Sequence, residues 1–187
     1  GVALADFNGN GKDDIVLATD NNHIYLIYDN ASIAPGFPFE VGDKIQTAPS
    51  ILTINGDKII VVGTGEDFGN GQDNNLYALN ADGSLRFIIE ANKDIMTSPS
   101  FLNHNGNQYI FFGANDNLIY ALDDSGIALG GWPIEVNGSI VGSIVFSDLD
   151  GDGEAEVVAA TDEKEMVAFH LDGSNYPYFP IINDDAF

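Results

Sequence analysis

The chain has 187 residues, 44% of them hydrophobic and 19% charged, which suits one folded domain with a sizeable core and excludes a disordered chain. Its 29 acidic residues outnumber 6 lysines and arginines, and the net charge of −23 repels phosphate backbones and anionic lipids, so we expect no nucleic-acid partner. The absence of cysteine excludes disulfides and thiol chemistry, and since no apolar run approaches the ~18 residues of a membrane span we expect no membrane insertion.

Four short apolar runs recur in the same order along the chain, separated by turns rich in Gly, Asn, Asp and Pro. Each run has the length of a strand, and no stretch keeps a helical period for three turns. In the first unit the runs are residues 2–5, 15–19, 26–28 and 37–41. The later units repeat them at 49–52, 59–63, 77–79 and 86–90, at 99–102, 109–113, 120–122 and 132–136, and at 143–146, 157–161, 167–169 and 178–182.

This repeat predicts an all-β fold, a β-propeller segment of four blades with four antiparallel strands each. The units recur about every 47 residues, a period typical of four-stranded propeller blades. We place the blades at about 1–46, 47–96, 97–140 and 141–187 within a single segment. Because proline cannot donate to a strand ladder, Pro38, Pro133 and Pro180 predict that the fourth run is the edge strand. The almost purely apolar second runs predict middle strands packed on both faces.

The four units leave no spare strand that would complete a partial blade. Four blades could close alone, but an open arc would leave two broad apolar faces in water. We therefore expect the chain to be part of a larger propeller or an assembly, completed by further blades of the same polypeptide or by another chain. The chain begins at Gly1 without an initiator Met or a signal peptide, which fits a processed or excerpted sequence.

Two units carry an acidic nine-residue loop between their first and second strands, at 6–14 and 148–156. Side-chain oxygens alternate at positions one, three and five, and a glycine at position six permits a sharp turn. Position seven can offer its carbonyl and position nine a carboxylate. Calcium takes about six to eight hard oxygens at ~2.3–2.6 Å, which five such positions plus water can supply, whereas magnesium demands tighter geometry and zinc favours nitrogen or sulfur.

The loops therefore predict two Ca²⁺ sites. The candidate ligands are Asp6, Asn8, Asn10, Lys12 through its carbonyl and Asp14 in the first loop, and Asp148, Asp150, Asp152, Glu154 through its carbonyl and Glu156 in the second. Neither loop is an EF-hand, because a β-branched strand follows position nine where an EF-hand continues to a Glu and a helix. A metal-free hairpin turn is the alternative for each loop, since Asp-Gly and Asn-Gly are common hairpin residues. The corresponding turns at 53–57 and 103–107 lack the acidic alternation, and we expect plain hairpins there.

The D-x-D-x-D-G-x-x-[DE] loop, together with the G-W-P-I-E-V and L-D-G motifs that surround the later strands, resembles the FG-GAP or VCBS repeat family of β-propellers, relatives of the integrin alpha-subunit propeller. The resemblance covers essentially the whole chain. It implies structural calcium at the ligand positions named above, and secreted or surface proteins used in adhesion or in carbohydrate or protein recognition. The middle units depart from the pattern, and their Ser-Pro-Ser and Tyr-Ala-Leu motifs resemble quinoprotein-like propellers.

Catalysis has little support in the sequence. A quinoprotein enzyme would need many docking tryptophans, and the chain has one, Trp132. A polysaccharide hydrolase or lyase is a stronger alternative, since propellers host such sites. However, the three histidines, His23, His104 and His170, fall in different repeat contexts without a Ser or Cys partner, so we assign no catalytic residue.

Aromatic residues in the fourth-strand segments offer a second interpretation. They could stack on sugar rings or pack between blades; they are Phe37, Trp132, Tyr176, Tyr178 and Phe179. We expect a non-catalytic, calcium-binding propeller module of a secreted or cell-surface protein, serving adhesion, recognition or as a spacer, with an unidentified protein or glycan ligand. The alternative is a carbohydrate-binding or polysaccharide-cleaving propeller domain accessory to a secreted enzyme.

Overall fold

The computed structural model describes residues 1–65 and 73–183, and every regular element in that part of the chain is a β-strand. Sixteen strands form four sheets, each of four antiparallel strands. The chain divides into two compact units, Gly1–Ser98 and Pro99–Phe187, which hold two sheets each. From here on, the first and second unit mean these two halves, and each contains two of the four sequence repeats. We refer to the sheets as blades 1 to 4 in chain order. The all-β fold with four four-stranded sheets confirms the sequence prediction.

The first unit contains blades 1 and 2. In both, the strands pair in sequence order, so every connection is a hairpin between neighbours. Blade 1 consists of β1 (Val2–Ala5), β2 (Asp14–Ala18), β3 (His23–Ile27) and β4 (Phe39–Glu40). Blade 2 consists of β5 (Ser50–Ile54), β6 (Asp57–Gly63), β7 (Asn75–Leu79) and β8 (Leu85–Glu90).

The second unit contains blades 3 and 4, with the same strand order. Blade 3 consists of β9 (Ser100–His104), β10 (Asn107–Gly113), β11 (Leu118–Asp123) and β12 (Ile134–Glu135). Blade 4 consists of β13 (Ile140–Ser147), β14 (Glu156–Thr161), β15 (Glu165–Phe169) and β16 (Ile181–Ile182). A register shift between Val141 and Val145 lengthens β13 beyond the predicted run at 143–146.

The fourth strand lies at the edge of every blade, as the prolines predicted. It is much shorter than predicted in the three blades that carry them: β4, β12 and β16 have two residues each, and each begins directly after Pro38, Pro133 or Pro180. β8 has no proline and runs for six residues. Because proline offers no N–H, the ladder begins only after it. β3 also begins earlier than the predicted 26–28 run, at His23, where the alternation of buried residues starts.

Consecutive blades of a unit pack face to face through apolar side chains. The core of the first unit is formed by Val16, Ala18, Ile24 and Leu26 of blade 1 with Ile60, Val62, Tyr77 and Leu79 of blade 2. That of the second unit is formed by Phe111, Ile119, Ala121 and Trp132 of blade 3 with Val157, Ala159, Val167 and Phe169 of blade 4. Burial of these side chains supplies the main favourable free energy of folding, ~25 cal/mol per Å² of apolar surface.

The prediction that all second strands are packed on both faces is wrong for two blades. β6 and β10 are buried over consecutive residues, but β2 and β14 alternate between buried and accessible positions. The reason is that one apolar face of blade 1 and one of blade 4 are uncovered. We call them the open face of blade 1 (Val2, Leu4, Ile15, Leu17, Tyr25, Ile27) and the open face of blade 4 (Val141, Val145, Val158, Ala160, Met166, Ile181).

Candidate metal centre

Both acidic loops join the first and second strands of their blades. Loop 6–14 connects β1 to β2, and loop 148–156 connects β13 to β14. In each, the acid at position nine is the first residue of the second strand and pairs with the last residue of the first strand, Asp14 with Ala5 and Glu156 with Ser147. Both of these acids are fully buried. A buried carboxylate requires compensating donors or a cation, because transfer of the charge out of water is unfavourable.

Loop 148–156 wraps its backbone around Asp148. The N–H of Gly151 donates to Asp148 Oδ1 at 2.6 Å, and the N–H of Gly153 donates to Oδ2 at 3.0 Å. Asp150 and Asp152 each accept from the N–H two residues further on, at 3.2 and 2.8 Å. Gly151 and Gly153 have φ of 82° and 92°, values that favour glycine. The sequence folds this way because its glycines allow the left-handed turns that curl the loop.

Three carboxylates converge at this loop. Ligand oxygens of Asp148, Asp150 and Glu156 all lie within 4.8 Å of one another, and among the described residues no other group of three or more His, Cys, Asp or Glu side chains meets this condition. Glu156 Oε2 accepts from the N–H of Leu149 at 2.7 Å. Like charges this close repel unless a cation lies between them. Carboxylate oxygens in such a group are the donors that calcium prefers.

The other two predicted ligands of this loop, Asp152 and Glu154, are not part of the group. The Glu154 side chain contacts His104 of blade 3, with Nε2 and Oε2 2.6 Å apart. This contact occupies the Glu154 carboxylate. The prediction for Glu154 concerns its backbone carbonyl, which this contact does not involve. Glu156 has a histidine neighbour as well, since His170 Nδ1 lies 3.2 Å from Oε1.

Loop 6–14 has the same backbone arrangement. Asp6 accepts from the N–H of Gly9 at 2.7 Å and of Gly11 at 2.8 Å. The hydrogen bond from Gly11, with smaller contributions from other backbone donors and the charge of Lys58, holds the pKa of the Asp6 carboxyl below its ordinary value despite partial desolvation. Asp14 Oδ2 accepts from the N–H of Phe7 at 2.9 Å, as Glu156 does from Leu149. The two loops are therefore built on one plan.

The first loop differs in how its charges are satisfied. The amide nitrogen of Asn8 donates to Asp14 Oδ1 at 3.2 Å, and the N–H of Asp29 donates to the same oxygen at 3.0 Å. The Asp29 carboxylate receives Lys12 Nζ at 2.8 Å and the Asn10 amide at 3.0 Å. The hydrogen bond between Lys12 and Asp29 raises the pKa of Lys12 and lowers the pKa of Asp29. Protein donors thus already satisfy Asp14 of loop 6–14 and the neighbouring Asp29.

An aromatic group lies beside loop 148–156. Burial raises the pKa of Tyr176, and the nearby carboxylates of the loop, Asp150 and Glu156 first, raise it further. The Tyr176 ring is 5.4 Å from that of His170 and 5.9 Å from that of Phe179. A cleft of about 330 Å³ opens beside the loop and is lined by Asp152, Glu154, Ala155, His170, Leu171, Asp172 and Ser174.

The sequence did not identify several of these neighbours. Asp29, His104 and His170 come from other strands or blades, and their spacing from the loops carries no signal. Of the aromatics that could stack on sugar rings or pack between blades, Trp132 packs in the core between blades 3 and 4, where its Nε1 donates to the Leu171 carbonyl at 2.9 Å. Tyr178, by contrast, is 96% exposed. The turns at 53–57 and 103–107 are two-residue hairpins with positive φ at Asn-Gly pairs, as predicted.

Comparison with known proteins gives structural matches alone. No protein-family model matches the chain, and no curated protein matches it by sequence. The FG-GAP or VCBS resemblance therefore stays a prediction. Within the described residues no helix is long and apolar enough to cross a membrane.

Solved structures match almost the whole chain. BBS1N in complex with ARL6DN matches in a mercury-soaked crystal with a TM-score of 0.63, at 13% identity over 99% of this chain and 54% of that one. The same complex from a lead-soaked crystal matches with a TM-score of 0.59 and 15% sequence identity, and the match covers 96% of this chain and 55% of that chain. BamB from Moraxella catarrhalis matches with a TM-score of 0.62 and 16% sequence identity, and the match covers 97% of this chain and 51% of that chain. These neighbours are β-propellers, and the fold of this chain is of that class. The chain spans about half the length of each neighbour.

Proposed function

We propose that the chain is a non-catalytic, calcium-binding β-propeller segment of a secreted or cell-surface protein, serving adhesion, recognition or as a spacer. The convergence of Asp148, Asp150 and Glu156 within 4.8 Å is the observation that supports it most directly. The fully buried Glu156 adds to this support, because its charge is held next to two further carboxylates.

The chemistry of the donor set favours Ca²⁺. Every side-chain donor at the converging positions is a carboxylate oxygen, which suits hard cations. The ion would be held by Asp148, Asp150 and Glu156, with Asp152 and the Glu154 carbonyl as further candidate donors. In loop 6–14 the candidates are Asp6, Asn8, Asn10, the Lys12 carbonyl and Asp14. There the ion would have to displace the Asn8 amide from Asp14.

The role proposed for calcium is structural. A bound ion would fasten the β13–β14 connection and offset the mutual repulsion of its acids. The resemblance to FG-GAP and VCBS repeats, in which such loops carry structural calcium, supports the same role. BBS1N is found in complex with ARL6DN, which supports protein recognition as one use of a propeller of this kind.

Calcium binding can be tested by thermal unfolding and by terbium luminescence. Ca²⁺ at a hundredfold excess over its dissociation constant should raise Tm by roughly 5 to 10 °C over a sample in excess chelator. Tb³⁺ bound at loop 148–156 should be sensitised by Tyr176, and Ca²⁺ should displace it. Asp148→Asn should abolish the luminescence sensitised by Tyr176 and leave only the part of the Tm rise that the site at 6–14 gives, while Asp82→Asn, at an exposed acid of a blade 2 turn that accepts hydrogen bonds from Ser84, should retain both effects in full. A melting curve that is the same with calcium and with chelator would exclude the proposal.

Carbohydrate binding is a second candidate function. It is favoured by the 96% exposed Tyr178 and by the cleft of about 330 Å³ beside loop 148–156, whose lining includes Asp172 and Ser174. An exposed ring can stack on the apolar face of a sugar, and polar side chains can bind its hydroxyls. A glycan array with and without Ca²⁺, followed by Tyr178→Ala on any hit, tests this function. Binding without turnover would support a recognition module, and product release would support the polysaccharide-cleaving alternative.

A further inference from the structure

Consecutive blades within a unit meet through the same positions of their two middle strands. Two cross-strand pairs on the earlier blade face two pairs on the later blade. In the first unit the earlier pairs are Val16–Leu26 and Ala18–Ile24, and the later pairs are Ile60–Leu79 and Val62–Tyr77. In the second unit the earlier pairs are Phe111–Ala121 and Gly113–Ile119, and the later pairs are Val157–Phe169 and Ala159–Val167.

The residues on the open face of blade 1 occupy the positions that, in blades 2 and 4, pack against the preceding blade. Its pairs Ile15–Ile27 and Leu17–Tyr25 have the register of Ile60–Leu79 and Val62–Tyr77 in blade 2. It therefore has the composition and geometry of a face that receives a preceding blade, and blade 2, the other blade of the first unit, packs on the opposite face.

The residues on the open face of blade 4 occupy the positions that, in blades 1 and 3, pack against the following blade. Its pairs Val158–Ala168 and Ala160–Met166 have the register of Val16–Leu26 and Ala18–Ile24 in blade 1. One open face thus has the positions that contact a preceding blade, and the other has the positions that contact a following blade. The interfaces between blades 1 and 2 and between blades 3 and 4 each join one face of each kind.

Both open faces are apolar, and their outermost residues are well exposed. Leu4 is 59% exposed and Val145 is 55% exposed, and each has further aliphatic neighbours on its sheet. All named members of the two faces are uncharged, although the chain carries a net charge of −23. An exposed apolar surface on such an acidic protein marks an interface, because its contact with water is unfavourable.

We propose that the open face of blade 4 packs on the open face of blade 1 of a second copy of this chain, so that two copies form a head-to-tail dimer with two equivalent junctions. Each junction repeats the contact already made between blades 1 and 2 and between blades 3 and 4. The propeller neighbours are about twice as long as this chain, so two copies match the length of one neighbour. A heterologous contact that closes after two copies leaves neither face in water. The proposal rests on the propeller fold and is independent of calcium.

The mass of the chain in solution tests the proposal. Light scattering after size exclusion at about 0.15 M salt should give about 40 kDa, twice the mass of the 20.0 kDa chain. Higher salt should favour the dimer, because it screens repulsion between two strongly acidic copies. A mass of 20 kDa up to millimolar chain would overturn the proposal, and a mass that grows beyond two copies would overturn the closed dimer.

Substitutions on each face test the pairing itself. Leu4→Lys and Val145→Lys should each give the monomer mass, since every junction uses both faces, while Ile127→Lys, at a 64% exposed site on blade 3, should leave the dimer intact. An equimolar mixture of the two face variants should form a heterodimer through its one unaltered junction. Survival of the dimer in only one of the two variants would instead show pairing of like faces and would overturn the proposal.

Circular dichroism and Tm should first show that each variant is folded, which is expected because both side chains are more than half exposed. If a lysine variant fails this control, Leu4→Ser and Val145→Ser keep the test available. Each should weaken the dimer by roughly tenfold or more, because each removes apolar contact from both junctions at once. Unchanged dissociation constants in both serine variants would contradict the proposal.

Discussion

The carboxylate of Glu156 accepts a hydrogen bond from the backbone N–H of Leu149 at 2.7 Å, seven residues earlier in the chain. Asp14 and Phe7 make the same contact at 2.9 Å in the other acidic loop. In each case a fully buried acid at the start of the second strand fastens the beginning of the loop to its end. This contact gives the two loops one shape, while the surrounding charges differ.

Glu156→Gln should separate the contribution of charge from that of shape. The amide oxygen can still accept from Leu149, so the loop should keep its form without metal. Removal of one of three converging charges should weaken calcium binding by roughly tenfold or more. Isothermal titration calorimetry measures the affinity, and Tm in chelator measures the metal-free stability. Equal calcium affinity in the variant and the unaltered chain would show that Glu156 is not a ligand.

The two loops should differ in affinity. Loop 148–156 brings three carboxylates together, whereas in loop 6–14 the Asn8 amide and the Asp29 N–H already satisfy Asp14. We therefore expect the tighter site at 148–156. Calorimetry should show loss of the tighter binding event in Asp148→Ala and of the weaker event in Asp6→Ala. The reverse assignment would mean that the donors around Asp14 do not compete with calcium.

Tyr77 should stabilise the first unit through a buried hydrogen bond. Its hydroxyl donates to Asp73 Oδ2 at 2.6 Å, and burial together with this bond raises the pKa of Tyr77 to about 12. Tyr77→Phe should lower the free energy of unfolding by about 1–2 kcal/mol, since it removes a donor from a buried carboxylate. Tyr120→Phe is the matched control: Tyr120 donates to Asp116, which is less buried, so the loss should be smaller.

The pH dependence of the same contact follows from the raised pKa. Because the folded value exceeds the unfolded value, the contribution of Tyr77 is complete below about pH 10 and is lost as the pH rises toward about 12. Urea unfolding of the chain and of Tyr77→Phe should therefore show a constant difference from pH 7 to 9 that narrows above pH 10. A difference that widens there would contradict the assignment.

Gly113 should tolerate no side chain. A methyl group at this position would lie 2.3 Å from Cβ of Ile140, where blade 3 packs closely on the first strand of blade 4. Gly113→Ala should destabilise the chain by about 1–3 kcal/mol through overpacking. Gly130→Ala is the control, since a methyl group added there would have open space for 4 Å around it. Its free energy of unfolding should stay within ~0.5 kcal/mol of the unaltered chain.

The all-β class, the four sheets of four strands and the turns between them follow from sequence alone. Strand alternation and Asn-Gly or Asp-Gly turns are local properties, so runs such as 59–63 and 109–113 lie inside β6 and β10. The prolines located the edge strand, although the length of β4, β12 and β16 was overestimated because missing N–H groups delay the ladder. The sequence also identified both acidic loops, since their side chains are spaced within nine residues.

Only the tertiary structure decided which groups meet. It placed Asp29 beside loop 6–14 and His104 and His170 beside loop 148–156, and it separated Asp152 and Glu154 from the three converging carboxylates. It also decided which apolar faces are covered: β6 and β10 are buried over consecutive residues, whereas β2 and β14 each have one accessible side. These relationships depend on contacts between strands far apart in the chain, and an alternating apolar pattern is the same whether or not another blade covers it.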